Sequence, residues 1–325
     1  MSPLVRRCVF AVTLVWLVLT LTFAMVHAAP GDAVQLLVPP GASVDAEARL
    51  RATFGLDASL PVQYARWLAA TVTGDFGVSI AQQRPVSTIL REALPISLAL
   101  GSVSLVLTYL IGVALGTWQA ARRGATDAAV TVATTAVAAS PSFWLGLAAI
   151  ALATHGAAAW GLPHWMRLPA FGLHSAASDA TGVAALRDLA RHALLPVLVL
   201  SAIGAAGVAR YARASAVAIW PMEFVRVARA KGATASQLQW RHVLANILPA
   251  LVVLFALGLP GVVAGSVFVE TVFAWPGMGR TLVQAIAARD MPVVLAATSL
   301  YAMLVIGANL VADLLLPVID PRRRA

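Results

Sequence analysis

The chain has 325 residues, 60% hydrophobic and only 11% charged, with mean hydropathy +0.84 and formal net charge +9. Soluble domains carry roughly 25% charged residues, so this composition excludes a water-coated globule and demands lipid at the surface. The cations lie between apolar runs, where they set membrane topology, rather than on a soluble basic face, which excludes nucleic acid as a partner. The single cysteine, Cys8, excludes an internal disulfide framework and a Cys-based metal site. Cys8 reads as a small apolar helix residue, with lipidation as the alternative.

A membrane helix needs about 20 apolar residues. The first run, Cys8 to Val26, is uncharged and follows Arg6 and Arg7. It is longer than the signal-peptide core of about 7–15 residues. Residues 1–27 therefore read as a retained helix, although Val26-His27-Ala28 loosely fits a cleavage site. A polar external loop follows at 28–93, then a core over 94–318 with spans near 95–119, 128–153, 193–213, 249–271 and 293–315, and a tail at 319–325. Pro141 is expected inside the third span, its freed carbonyl satisfied by neighbouring helices. Gly112 with Gly116, and Gly261 with Gly265, form small-xxx-small pairs that allow close helix approach.

Placing both termini in the cytoplasm puts 13 cations and three acids inside, against 10 cations and 10 acids outside. This asymmetry predicts an N-in, C-in topology. The inner loop at 214–248 is too long for a connector. It reads as a short helix with Pro221 early, Glu223 in the first turn and Arg226, Arg229 and Lys231 toward the end, an order that suits the helix dipole. Gly232 is the expected stop. Thr234 and Gln237 form a capping-box pattern that opens a second helix leading to Pro249. Physically this is a cationic knob; a basic helix lying on anionic lipid is the alternative.

The segment Glu223-Phe-Val-Arg-Val-Ala-Arg-Ala-Lys-Gly232-Ala, with Trp240-Arg-His-Val-Leu-Ala-Asn-Ile-Leu-Pro249, resembles the coupling loop of ABC-importer permeases. It is most similar to the dipeptide/oligopeptide/nickel branch, in which Arg226 stands where other importers have Glu. The resemblance runs along nearly the whole chain. It takes in Pro30-Gly31-Asp32, Gly55-Leu56-Asp57, Gly74-Asp75-Phe76-Gly77, Ser140-Pro141-Ser142-Phe143-Trp144-Leu145-Gly146, and Glu270 through Phe273, Trp275-Pro276-Gly277, Gly279 and Arg280. It continues with Ala285-Ile286, Arg289-Asp290, Pro292, Asn309, Asp313 and Asp320-Pro321-Arg322.

The resemblance implies an all-α membrane protein with six transmembrane helices, like a type I ABC-importer permease, carrying a cytoplasmic coupling helix in the inner membrane. It implies that Glu223, Arg226, Ala228, Arg229, Ala230, Lys231 and Gly232 dock on an ATPase subunit. It also implies a second homologous permease, two ATPase subunits and an extracytoplasmic solute-binding protein as partners. The chain has no G-x-x-x-x-G-K-[ST] run, so ATP and Mg are expected on partner subunits. No cofactor, catalytic residue or metal ligand is assigned to this chain. Glu270, Trp275, Pro276, Gly277, Gly279, Arg280 and Asp290 read as an external gate or receptor loop, or alternatively as a cap linking two spans. Asp313, one turn from Asn309, and Arg210 and Arg213 read as structural or snorkelling groups near the inner surface. The six histidines do not pair at ligand spacing. An ion-coupled secondary carrier is the competing function, but it would place acids in mid-span, and spans two to five carry none near their centres.

Overall fold

The computed structural model describes residues 3–28, 57–122, 124–163, 167–175, 181–264 and 267–319. Pro30-Gly31-Asp32, Gly55, Leu56, His164, Gly265 and the tail from Asp320 lie outside them. The named elements are all helical, and the described residues add one isolated antiparallel bridge, Val78 with Pro85. Six helices are long and apolar enough to cross a membrane: Val5–Ala28, Val86–Ala120, Ser142–Ala159, Val183–Ile219, Ala235–Val262 and Met291–Leu314. The expected all-α, six-span architecture is therefore the one the chain adopts.

In chain order the helices are α1 (Pro3–Ala28), α2 (Leu60–Thr73), α3 (Val86–Ala120), α4 (Ala125–Ala139) and α5 (Ser142–Ala151), which a wider π-type turn, Leu152–Gly156, carries on to Ala159. Then come α6 (Val183–Ile219), α7 (Glu223–Ala230), α8 (Ala235–Gln237), a second π-type stretch Leu238–Leu244, α9 (Ala245–Ala264), α10 (Val267–Val272), α11 (Met278–Ala287) and α12 (Met291–Ile319). The chain forms two compact units. One comprises Met1–Ile96 with Gly277–Leu310, the other Ser97–Pro276 with Val311–Ala325.

In the first unit, α1 is held to α2 by aromatic contacts. Phe23 lies 5.3 Å from both Tyr64 and Trp67, and Thr20 shares a 2.7 Å hydrogen bond with the Tyr64 hydroxyl. The first turns of α3 (Val86, Ile89, Leu90, Ala93) bury against Met278 and Ala285 of α11 and Val293, Ala296 and Ala297 of α12.

In the second unit, α6 packs against α4, α5 and α9. Its contact with α3 is close enough to need glycine. A Cβ at Gly112 would fall 2.7 Å from the Val208 Cβ, and one at Gly116 would fall 2.3 Å from the Ala209 carbonyl oxygen. The first small-xxx-small pair therefore works as expected. In the second, Gly261 faces open space, and the tight glycine of α9 is Gly258, against Leu105.

Several boundaries differ from the sequence expectation, among them the start of α6, at Val183 rather than 193. Helix α3 begins at Val86 rather than near 95, because Pro95 is absorbed inside it. The third span is not continuous. Ser140 and Pro141 are both extended, with ψ of 136° and 139°, and Pro141 precedes α5 as its cap residue. Proline supplies no N–H and drives the residue before it out of helical geometry. Helix α6 runs to Ile219, well beyond 213, leaving only 220–222 as the turn into α7. Pro221 lies in that turn, before the cap residue Met222, rather than inside the helix. The fifth span starts earlier than 249 and its α9 portion ends at Ala264, Pro249 being internal.

Candidate coupling helix and outer helix pair

Helix α7 is short and strongly two-faced. Its inner side is Val225, fully buried, and Ala228, which is half-buried. Both pack into an apolar cluster made by Ala212, Ala216 and Ile219 of α6, Leu238 and Val243 of the π-type stretch, and Ile247 and Leu251 of α9. Its outer side is Glu223, Phe224, Arg226, Val227, Arg229, Ala230 and Lys231, all exposed. Glu223 begins the helix and Arg229 lies in its last turn, matching the dipole. The Arg229 guanidinium sits 5.8 Å from the Trp220 ring centre.

The stop after α7 is built as the sequence proposes. Gly232 has φ of +89°. Its N–H donates to the Arg229 carbonyl at 3.0 Å, and the Ala233 N–H donates to the Ala228 carbonyl at 3.2 Å. This is a Schellman cap, closed by apolar contact as Ala228 and Ala233 pack on the same cluster. A Cβ at Gly232 would meet nothing within 4 Å, so the demand for glycine is conformational rather than steric. The capping box also forms. The Gln237 N–H donates to Thr234 Oγ1 at 3.2 Å, and the Thr234 N–H donates to Gln237 Oε1 at 2.8 Å.

Behind α7 lies a polar clamp that pattern reading missed. Arg213 of α6 donates to Asp127 of α4 through Nε (2.7 Å to Oδ1) and Nη2 (2.5 Å to Oδ2). Gln119, 2% exposed near the end of α3, donates to Asp127 Oδ1 at 2.8 Å and to Thr131 Oγ1 at 2.8 Å. The Arg213 hydrogen bond, helped by Gln119, holds the Asp127 carboxyl below its ordinary range despite desolvation. Arg213 is thus paired rather than merely snorkelling; Arg210 is exposed. Spacing gives no hint of the pair, since 86 residues separate its members.

The candidate outer segment is a set of short helices rather than a loop. In the second unit, Glu270 of α10 is fully buried and accepts a 2.6 Å hydrogen bond from Ser97 Oγ. Phe273 and Trp275 are buried beside it in sequence, the turn being closed by the Trp275 N–H on the Glu270 carbonyl at 2.8 Å. Pro276 is exposed. In the first unit, Gly277 and Gly279 are buried and Arg280 is half-buried. Asp290, 1% exposed, accepts from Ser79 Oγ at 2.5 Å, the Ile80 N–H at 3.1 Å and the Ala81 N–H at 3.1 Å. Both acids of the proposed gate are therefore anchors.

Among the described residues no group of three His, Cys, Asp or Glu is placed to hold a metal ion. His192 is buried and hydrogen-bonds the Asp188 carbonyl at 2.9 Å.

Comparison with known proteins bears on the whole chain. Residues 109–325 match the family model described as binding-protein-dependent transport system inner membrane component, and residues 1–101 match the model of its N-terminal part. The chain is 32% identical to the oligopeptide transport system permease protein AppB of Bacillus subtilis over 98% of each chain. It is 32% identical to the dipeptide transport system permease protein DppB of Escherichia coli (strain K12), over 94% of this chain and 93% of the relative. It is 35% identical to the oligopeptide transport system permease protein OppB of Mycobacterium bovis, over 88% of this chain and 86% of the relative. Six apolar spans and matches running from end to end establish that the chain belongs to the family of inner-membrane permease components of binding-protein-dependent ABC importers.

Proposed function

We propose that this permease forms, with a second homologous permease, the path by which peptides or a related small solute cross the inner membrane. Two ATPase subunits drive it and an extracytoplasmic binding protein delivers the solute. Both termini face the cytoplasm. ATP and Mg bind the partner subunits, and this chain holds no cofactor and no nucleotide site. The ion-coupled carrier is set aside by membership of the permease family.

The observation that carries this reading is the construction of α7. Its apolar side is sunk into the ends of α6 and α9, while Glu223, Arg226, Arg229 and Lys231 are exposed on the other side. Ala228 and Ala230 keep the helix slim, and Gly232 fixes its exit. A helix held this rigidly passes a push from an ATPase directly to two spans. ATP-driven closure of the ATPases draws the coupling helices together, turns the span bundles and opens the path outward; hydrolysis resets it.

The test compares Gly232→Val with Gly232→Asn in the whole importer. Asparagine tolerates positive φ and valine does not. Gly232→Val is expected to insert normally in the membrane but to lose peptide uptake and ATPase co-purification, whereas Gly232→Asn keeps both. Normal uptake and normal co-purification in Gly232→Val would sink the assignment.

A further inference from the structure

We infer that the Asp127–Arg213 pair, seated on Gln119, is a positioning latch that delivers movement of α7 to the broken helix α4–α5. The inference rests on the coupling reading of α7 and extends it to residues outside the docking surface.

The path is continuous within the second unit. Helix α7 follows α6 after the turn 220–222, and its Val225 is buried among Ala212, Ala216 and Ile219, the last turns of α6. Displacing α7 therefore displaces the end of α6 that carries Arg213. The contact of α6 with α3 is close-packed at Gly112, Gly116, Val208 and Ala209 and is tied by Ser201 Oγ donating to the Ser104 carbonyl at 3.2 Å and Thr108 Oγ1 donating to the Ser201 carbonyl at 3.4 Å. The contact with α4 is different: Arg213 grips Asp127 through two parallel hydrogen bonds, which fixes angle as well as distance.

Helix α4 can respond separately from α5 because Ser140 and Pro141 interrupt the span. Beyond that break, Gly146 of α5 lies against Val272 of α10 and the adjacent Phe273, near buried Glu270 in sequence. The latch thus stands at one end of a chain of rigid pieces, α6 to α4 to α5 to α10, with a hinge in the middle. Its side chains remain partly exposed, Arg213 at 34% and Asp127 at 21%. A pair that wet adds little stability, so its geometry points to position rather than to holding the fold together. Gln119 and Gln239 tie the same place to α3, Gln239 Nε2 reaching Thr117 Oγ1 at 3.5 Å.

The experiment uses the assembled importer in proteoliposomes and reads uptake of a labelled mixture of short alanyl peptides per ATP hydrolysed. Asp127→Asn is expected to keep its ATPase subunits while uptake per ATP falls roughly fivefold or more. Arg213→Lys, which keeps the charge but not the fork, is expected to fall in between. The exchange Asp127→Arg with Arg213→Asp is expected to recover most of the loss. Unchanged uptake per ATP in Asp127→Asn overturns the proposal. So does a loss that only follows a lowered thermal midpoint of the purified complex, the mark of a structural pair. If the exchange variant does not assemble, Arg213→Lys decides: an intermediate value supports the latch and the wild-type value overturns it. Failure of the coupling reading itself shows elsewhere, as normal uptake and ATPase capture in Gly232→Val.

Discussion

The α7 knob and the stretch from α10 to Asp290 look alike as sequence and are opposites as structure. Each offers one or two acids, arginines, a tryptophan, a proline and a glycine turn in a short stretch between apolar spans. In the knob the charges of Glu223, Arg226 and Lys231 point outward and the apolar Val225 is the anchor. In the other stretch the acids Glu270 and Asp290 are each anchors within their own unit, while Val283 and Ile286 of α11 are exposed. A charge at a turn is thus either a surface for a partner or a fastening for the backbone. What decides is whether donors are supplied to it, since a buried carboxylate without them is too costly to keep.

The largest expected effect breaks the Asp290 fastening. Asp290→Ala leaves Ser79 Oγ and the Ile80 and Ala81 N–H groups without their acceptor. The expected cost is on the order of 2–3 kcal/mol, read as a lowered thermal midpoint of the purified complex; an unchanged midpoint would make Asp290 a surface acid after all. Next comes the apolar anchor of α7. Val225→Ala removes two buried methyl-sized groups and should cost about 2 kcal/mol, with loss of ATPase capture. If capture survives, the apolar side of α7 is not what positions its charged side.

Gly232→Ala tests the cap with a smaller perturbation. It meets no atom within 4 Å and should cost about 1–2 kcal/mol through its left-handed backbone alone. A larger loss would point to a neighbour pressed on this turn. At the latch, the folded Asp127 carboxyl titrates below its ordinary value, chiefly through Arg213. A lowered folded value makes the pair's stabilisation complete above the unfolded carboxylate value and lost as pH falls through the folded one. Any midpoint difference between the wild type and Asp127→Asn is therefore expected to be small above about pH 5 and to vanish below about pH 4. The smallest effect on folding sharpens the contrast from the other side. Arg226→Ala should change stability by no more than about 0.5 kcal/mol, leaving the thermal midpoint nearly unmoved, while weakening ATPase capture, the reverse of the Asp290→Ala pattern.

By itself the sequence determined the features set by local chemistry and by lipid. The six spans were legible because charge scarcity and apolar length leave few alternatives. The α7 stop and the Thr234 box were legible because each is a local pairing, residue to backbone, within a few positions of Gly232 or Gln237. Pro141 shows the limit of such reading. Pro95, Pro196, Pro249 and Pro260 sit inside helices, whereas Ser140-Pro141 breaks one, so a proline in the sequence does not by itself say whether a helix continues. Only tertiary structure decided that Glu270 and Asp290 are buried and that Arg213 holds Asp127. Their partners lie 173, 211 and 86 residues away along the chain. A donor at that distance leaves no periodicity in the sequence, and it is the donor, not the acid, that decides whether a charge faces a partner or fastens the fold.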